Sequence, residues 1–162
     1  LESIERLAHR IGLGVSMGAL EISDMLTTPE LSEKLQVEEN SRLVKVSRVI
    51  YADKRPVAYL VDILPPDVLS PDDLKAGFNG SVLDFIQKRG TPNLLKSFTD
   101  IQAAAAPADI ARKLEIQRGD VLLMFAARLY SDQGKLVDFS LSYFLPGYFR
   151  FHVVRKVAAS DR

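Results

Sequence analysis

Two stretches of this chain repeat one pattern, and that repeat constrains the fold more than any other feature. Pro29 to Asp53 (PELSEKLQVEENSRLVKVSRVIYAD) matches Pro107 to Asp132 (PADIARKLEIQRGDVLLMFAARLYSD) with one residue inserted. Lys34-Leu35 aligns with Lys113-Leu114, Leu43-Val44 with Leu122-Leu123, and Tyr51-Ala52-Asp53 with Tyr130-Ser131-Asp132. Each copy reads as helix, polar turn, long strand, hairpin turn, long strand. Each ends on Leu-Pro, at Leu64-Pro65 and at Leu145-Pro146. Two such units predict an α+β fold, one central antiparallel sheet with flanking helices built from two pseudo-repeats.

The first copy carries a residue that the second lacks. In the hairpin LVKVSRVIYADKRPVAYLVDILP, Val44, Val46, Arg48 and Ile50 share one strand face, because side chains alternate with period two. Three are apolar, so the face belongs to the core, and Arg48 stands in the middle of it. A guanidinium keeps its charge, and burying it without an anion is expensive. A two- or three-residue loop pairs Arg48 with Val61 or Leu60, neither acidic, while Asp62 lies one position away within diagonal reach. Arg48 is therefore either one half of a structural Arg48–Asp62 pair or an anion-binding group. Its repeat equivalent is Ala127, so the folding of the repeat does not require it. This favours a functional role.

The remaining segments follow in order. Apolar residues at 1, 4, 7, 8 and 11 predict a helix over Leu1 to Ile11, ended by Gly12 and Gly14. Val15 to Leu26 is expected to be a strand. Thr28-Pro29-Glu30 starts a helix running to about Leu35, and Ser70-Pro71-Asp72-Asp73 starts a short one by the same logic. Gly80-Ser81 opens a helix from Val82 to about Lys88 that stops at Gly90. Ser81 is a natural N-cap, and a helix start beside glycine also suits an anion; both readings stand. Leu94 to Ala104 is predicted as a strand and Pro107 to Leu114 as a helix. Val121 to Tyr130 is nearly all apolar, which predicts a central strand covered on both faces. Leu136 to Leu145 alternates, with Asp138, Ser140 and Ser142 against Phe139, Leu141 and Tyr143. Phe149 to Lys156 is expected as a last strand, before a tail from Val157 to Arg162 expected to fray.

Composition removes several function classes. Lys plus Arg equals Asp plus Glu at 21 each, so the chain has no broad attraction for nucleic-acid phosphates. It contains no cysteine, which excludes disulfides, thiolate catalysis and cysteine metal sites. Its two histidines, His9 and His152, lie far apart, so no metal site is expected. The longest apolar run, Val121 to Ala127, is too short to span a bilayer. No leader pattern is visible, and a start at Leu1 suggests a piece of a longer chain.

The hairpin, the NGSVLDFI segment, the alanine-rich strand with its PADIARKL helix, and DFSLSYFLPGYFRFHVVR together resemble the UTRA domain, the effector-binding domain of GntR-family (HutC-type) transcription regulators. The resemblance covers almost the whole chain. It implies a chorismate-lyase-like fold with a ligand cleft. It also implies a cytoplasmic bacterial homodimer, with DNA bound only through an N-terminal winged helix-turn-helix domain absent from this chain. No cofactor, membrane or catalytic residue is implied. The effector-binding candidates are Arg48, Ser81, Asp138 and Tyr143. The family pattern is kept only in part. Ile50 stands where a second arginine is common, Leu60 where a glutamate is common, and Leu83 where a tyrosine is common. Residues 145–149 replace a common Arg-Gly-Asp-type segment. A pocket short of polar partners suits a small anionic ligand with an apolar part, because an unpaired buried hydroxyl is costly.

Two rival functions follow. A dimerisation module with a vestigial pocket would use the aromatic-rich C-terminal region, Tyr143, Phe144, Tyr148, Phe149 and Phe151. A chorismate-lyase-like enzyme would need more than one arginine near its substrate. Arg128 aligns with Val49 and so faces away from Arg48, and no nucleophile–base pair is evident.

Overall fold

The structure is a computed structural model that describes residues 2–70, 72–73, 76–78 and 80–154. Helix α1 is Ile4–Arg10, followed by strands β1 (Ser16–Met17) and β2 (Glu21–Leu26) and helix α2 (Pro29–Leu35). Strands β3 (Arg42–Ala52) and β4 (Arg55–Leu64) form the first hairpin. Helix α3 (Val82–Arg89), strand β5 (Leu94–Ala105) and helix α4 (Ala108–Leu114) come next. Strands β6 (Val121–Ser131) and β7 (Leu136–Phe144) form the second hairpin.

All strands join one antiparallel sheet in the order β1-β3-β4-β7-β6-β5, with β2 also paired to β3. The repeat is visible in space. The two hairpins meet at its centre, where Leu60 lies opposite Ser142 and Asp62 opposite Ser140. Each copy's helix closes on a left-handed residue at the equivalent position, Gln36 (φ 54) and Glu115 (φ 55). Both helices pack on one sheet face. There Leu35, Ile110 and Leu114 bury against Leu43, Tyr59, Val61, Ile63 and Phe139.

Each hairpin also carries one extra residue on its return strand. Tyr51 pairs with Pro56 but Ile50 with Ala58, which leaves Val57 over. Tyr130 pairs with Leu136 but Leu129 with Asp138, which leaves Val137 over. Such a bulge reverses which side chains of the return strand share a face with the outgoing strand. The turn at Asp53-Lys54 has two residues, both at positive φ (48 and 66), as a primed hairpin turn needs. Without the bulge that turn would place Tyr59, Val61 and Ile63 beside Arg48. With it, Leu60, Asp62 and Leu64 take that face.

The second sheet face is divided between two apolar clusters. Val82 and Ile86 of α3 pack against Val44, Val46, Leu64 and Leu129 at one end. Ile4 of α1, with Phe149 and Phe151, covers Ile50, Leu60 and Phe144 at the other.

Three expectations need correction. Val15 to Leu26 is two strands, because the chain turns at Gly18, whose N–H donates to Val49 O at 2.8 Å. A Cβ there would come within 2.8 Å of Tyr51 Cε2. Strand β6 is not covered on both faces: Val121 is 62% exposed and most of its residues are half-buried. Its apolar run faces a cavity. Phe149 to Val154 forms no strand; instead the Phe149 and Phe151 rings pack on Phe144 at 5.1 and 4.8 Å. The last two residues of that expected strand, the tail from Val157, and Pro71 in the expected helix after Ser70 lie outside the described residues. The described part of that helix start shows reciprocal capping, Ser70 N to Asp73 Oδ2 at 2.7 Å and Asp73 N to Ser70 Oγ at 3.2 Å.

Candidate functional site

Between the two apolar clusters, α1, α3 and residues 150–152 enclose a cavity of about 650 Å³ over the sheet. That is within the usual size range of small-molecule sites. The sheet supplies its floor in two rows. One runs Arg48, Leu60, Ser142, Phe125, and the next Asp62, Ser140, Ala127, Thr99. Asp138 and Ser97 lie opposite Leu129 on its two sides. All of these residues line the cavity. Ala127, the repeat equivalent of Arg48, leaves open the space that an arginine would fill.

Arg48 is 6% exposed at its side chain and donates from Nη1 to Asp62 Oδ2 at 2.8 Å. The diagonal pair anticipated from the sequence therefore forms. It does not satisfy the guanidinium. Nε lies 3.5 Å from Glu5 Oε1 of α1 and makes no hydrogen bond with a described residue. Asp138 is buried, and its Oδ1 also lacks a hydrogen-bond partner among the described residues. Burial pushes its carboxyl well above the usual aspartate range. The charge of Asp62 and a hydrogen bond to it push the same way, and Arg48 opposes them. Asp138 thus holds its proton more tightly than a free aspartate does, beside an ion pair.

The three ionisable floor residues share a property. Counting from the bulges, Asp138 corresponds to Ala58 and Asp62 to Ser142, while Arg48 corresponds to Ala127. Each charge breaks the repeat, so the pseudo-symmetric fold does not require any of them.

Ser81 caps α3, its Oγ accepting from Asp84 N at 3.2 Å, and it also lines the cavity. Gly80 before it has φ +88, and an added Cβ would meet the Met17 side chain and lie 3.6 Å from Arg48 Cδ. Asp84 ties α3 to α1, accepting from Ser3 Oγ at 2.9 Å and pairing with Arg6 Nε at 3.1 Å.

The UTRA domain family matches residues 11–150, most of the chain. The chain belongs to the UTRA family. Solved structures agree with that fold. PhnF from Mycobacterium smegmatis is similar over 98% of this chain and 70% of its own, with 19% identity and a TM-score of 0.85. The effector domain of PhnF is similar over 96% and 95%, with 19% identity and a TM-score of 0.81. A GntR-family transcriptional regulator from Bacillus cereus is similar over 88% and 99%, with 17% identity and a TM-score of 0.77. A UTRA domain is a regulatory, effector-binding domain of GntR-family regulators and not an enzyme.

Within this UTRA domain the structure brings Arg48, Ser81 and Asp138 to one cavity and removes Tyr143 from it. Tyr143 lies on the opposite sheet face, packed beside Tyr59 at a ring distance of 6.5 Å. Burial raises its hydroxyl pKa, with Asp109 and Tyr59 adding to the effect. The parity of β7 forbids Asp138 and Tyr143 from facing one site. Arg128 is likewise on the far face, 3.2 Å from Asp100 and stacked 4.9 Å over Phe98.

Sequence reasoning missed much of the lining. Ser97, Thr99, Ser140 and Ser142 add hydroxyls to Ser3 and Ser81, so the cavity is less depleted of polar partners than its departures from the family pattern implied. The alternation of β7 already paired Ser140 and Ser142 with Asp138; that was the available signal. Glu5 left no comparable mark. No described helix is long and apolar enough to cross a membrane. No group of three or more potential metal ligands occurs among the described residues.

Proposed function

We propose that this chain is the ligand-sensing and dimerisation domain of a HutC-type GntR regulator, and that its effector occupies the cavity over β4, β7 and β6. One observation carries the reading. A cavity of effector size is floored by Arg48, Asp62 and Asp138, three ionisable residues foreign to the repeat, with Arg48 Nε and Asp138 Oδ1 making no hydrogen bond to a described residue. Polar atoms that are buried and unsatisfied cost stability unless something satisfies them.

The effector is small and carries an anionic group directed at Arg48. Its apolar part lies against Phe125, Leu129 and Phe151, and Ser140, Ser142 and Thr99 take its polar substituents. Ser81 and Asp138 contribute a hydroxyl and a carboxyl group. The whole protein is a homodimer whose DNA contacts come from an N-terminal winged helix-turn-helix domain. Effector binding shifts the balance between two arrangements of those domains, only as far as its affinity differs between them.

A thermal-shift screen against carboxylates, phosphate esters and sugar phosphates tests this, run beside Ala127→Phe, which fills the cavity. A ligand that binds the folded state raises the melting temperature by mass action. The expected result is a hit on the native chain that Ala127→Phe abolishes without lowering its own stability. Hits unaffected by the filling would place the ligand elsewhere and overturn the reading.

A further inference from the structure

The Arg48 guanidinium already has a second carboxylate beside it, and that carboxylate belongs to a helix at the edge of the cavity. Glu5 Oε1 approaches Nε at 3.5 Å, too long for a hydrogen bond. Both Glu5 oxygens are buried and neither accepts a hydrogen bond from a described residue. The carboxylate faces the Arg48 charge there without a hydrogen bond to hold it, in a side chain that is 31% exposed. The residue is nevertheless held there. Its helix is fixed by Ser3 and Arg6 to Asp84 of α3, and by Leu7 and Ala8, both buried.

We infer that Glu5 is an internal stand-in for the effector's anionic group, so that seating an anion on Arg48 and docking α1 over the cavity exclude one another. The inference rests on the reading of the cavity as the effector site and says how that site is regulated. Asp62 holds one edge of the guanidinium through Nη1 and remains in place. The Nε edge is the part that an incoming carboxylate or phosphate takes, because Nε is buried without a hydrogen bond to a described residue and Glu5 is its weakly held occupant. An anion that hydrogen-bonds Nε leaves Glu5 facing a second negative charge across a small gap. Like charges brought together in a site of low dielectric repel strongly. Glu5 then withdraws towards water and loosens α1. Ser3 and Arg6 fix the extent of that movement, since they tie α1 to the first turn of α3, whose N-cap Ser81 lines the same cavity.

Isothermal titration of the full 162-residue chain with inorganic phosphate, and separately with benzoate, tests the exclusion. The two probes distinguish a phosphoryl from a carboxylate preference. Glu5→Gln keeps the shape and removes the charge; Glu5→Ala is the second variant, and thermal melts establish that each is folded. Both variants are expected to bind at least one probe roughly tenfold more tightly than the native chain, the ratio given by about 1.4 kcal/mol of removed competition. In the native chain the same probe should speed amide hydrogen exchange in residues 4–10, and in Glu5→Gln that acceleration should vanish. Folded Glu5 variants that bind both probes no more tightly than the native chain, or not at all, overturn the inference. If cavity ligands from the screen still bind in that case, the effector-site reading stands without it. If Ala127→Phe combined with Glu5→Gln retains the enhanced binding, the anion lies outside the cavity and both fail.

Discussion

At the scale of single residues the floor of the cavity is an electrostatic compromise. Arg48 and Asp62 are both largely removed from water, with side chains 6% and 12% exposed. Breaking such a pair costs more than the pair contributes, because one buried charge is left alone. Arg48→Ala should lower stability by about 3–5 kcal/mol in urea unfolding, while Arg48→Met with Asp62→Leu should recover most of the loss. A double variant as unstable as the single one would contradict this. Asp138 gives a pH signature. Its proton is held more tightly in the folded chain than in the unfolded one, chiefly through burial and then through Asp62. Its contribution to stability is therefore complete below the ordinary aspartate value of about 3.9 and is lost as pH rises from there towards the raised folded value. Asp138→Asn cannot titrate. Its melting temperature relative to the native chain should therefore climb as pH rises above about 4; a constant difference would show that Asp138 ionises normally.

At the scale of elements the two bulges decide the chemistry. Val57 and Val137 are both fully buried, at 0% exposure, and each turns its return strand over. Deleting Val57 would remove the bulge and leave Ile50 opposite Ala58 and Arg48 opposite Leu60, so Asp62 stays on the cavity face. A folded chain in circular dichroism, destabilised by the loss of one buried valine, is the expected outcome. Helix α3 depends on its cap, and Ser81→Ala should lower stability by about 1 kcal/mol, measured by thermal melting. The element order was legible from the repeat, from Thr28-Pro29 and Gly80-Ser81 at helix starts, and from the β-branched runs. The faces of the strands were less so. Alternation within β7 separated Asp138 from Tyr143, yet family resemblance placed both in one site, and parity overrules resemblance. Whether Asp62 would share a face with Arg48 depended on a bulge that no turn residue announces. The missing last strand has a similar cause: Phe149 and Phe151 fill the space beside Phe144 as rings and not as a paired backbone.

At the scale of the molecule, one sheet serves two purposes by using its two faces differently. The face beneath α2 and α4 is a continuous apolar core that holds the repeats together. The other is interrupted, and the interruption is the cavity roofed by α1, the helix closest to the start of the chain. A ligand under α1 can act on whatever precedes it only through a difference in affinity between α1 docked and α1 released. Glu5 supplies such a difference. The repeat made the double-hairpin sheet readable in sequence, whereas the cavity arises where the copies differ, at Arg48, Asp62 and Asp138. That α1 closes over them was not visible in a pattern that showed only an apolar stripe at 4, 7, 8 and 11. Which sheet face receives the effector is the claim on which the rest depends. Amide chemical-shift mapping, with a ligand from the thermal-shift screen titrated into the native chain, measures it directly. Perturbations should gather at Ser97, Thr99, Ala127, Ser140 and Ser142 and along α1. Perturbations gathered instead at Tyr59, Ile110 and Tyr143 would place the ligand on the helix-covered face and contradict the account.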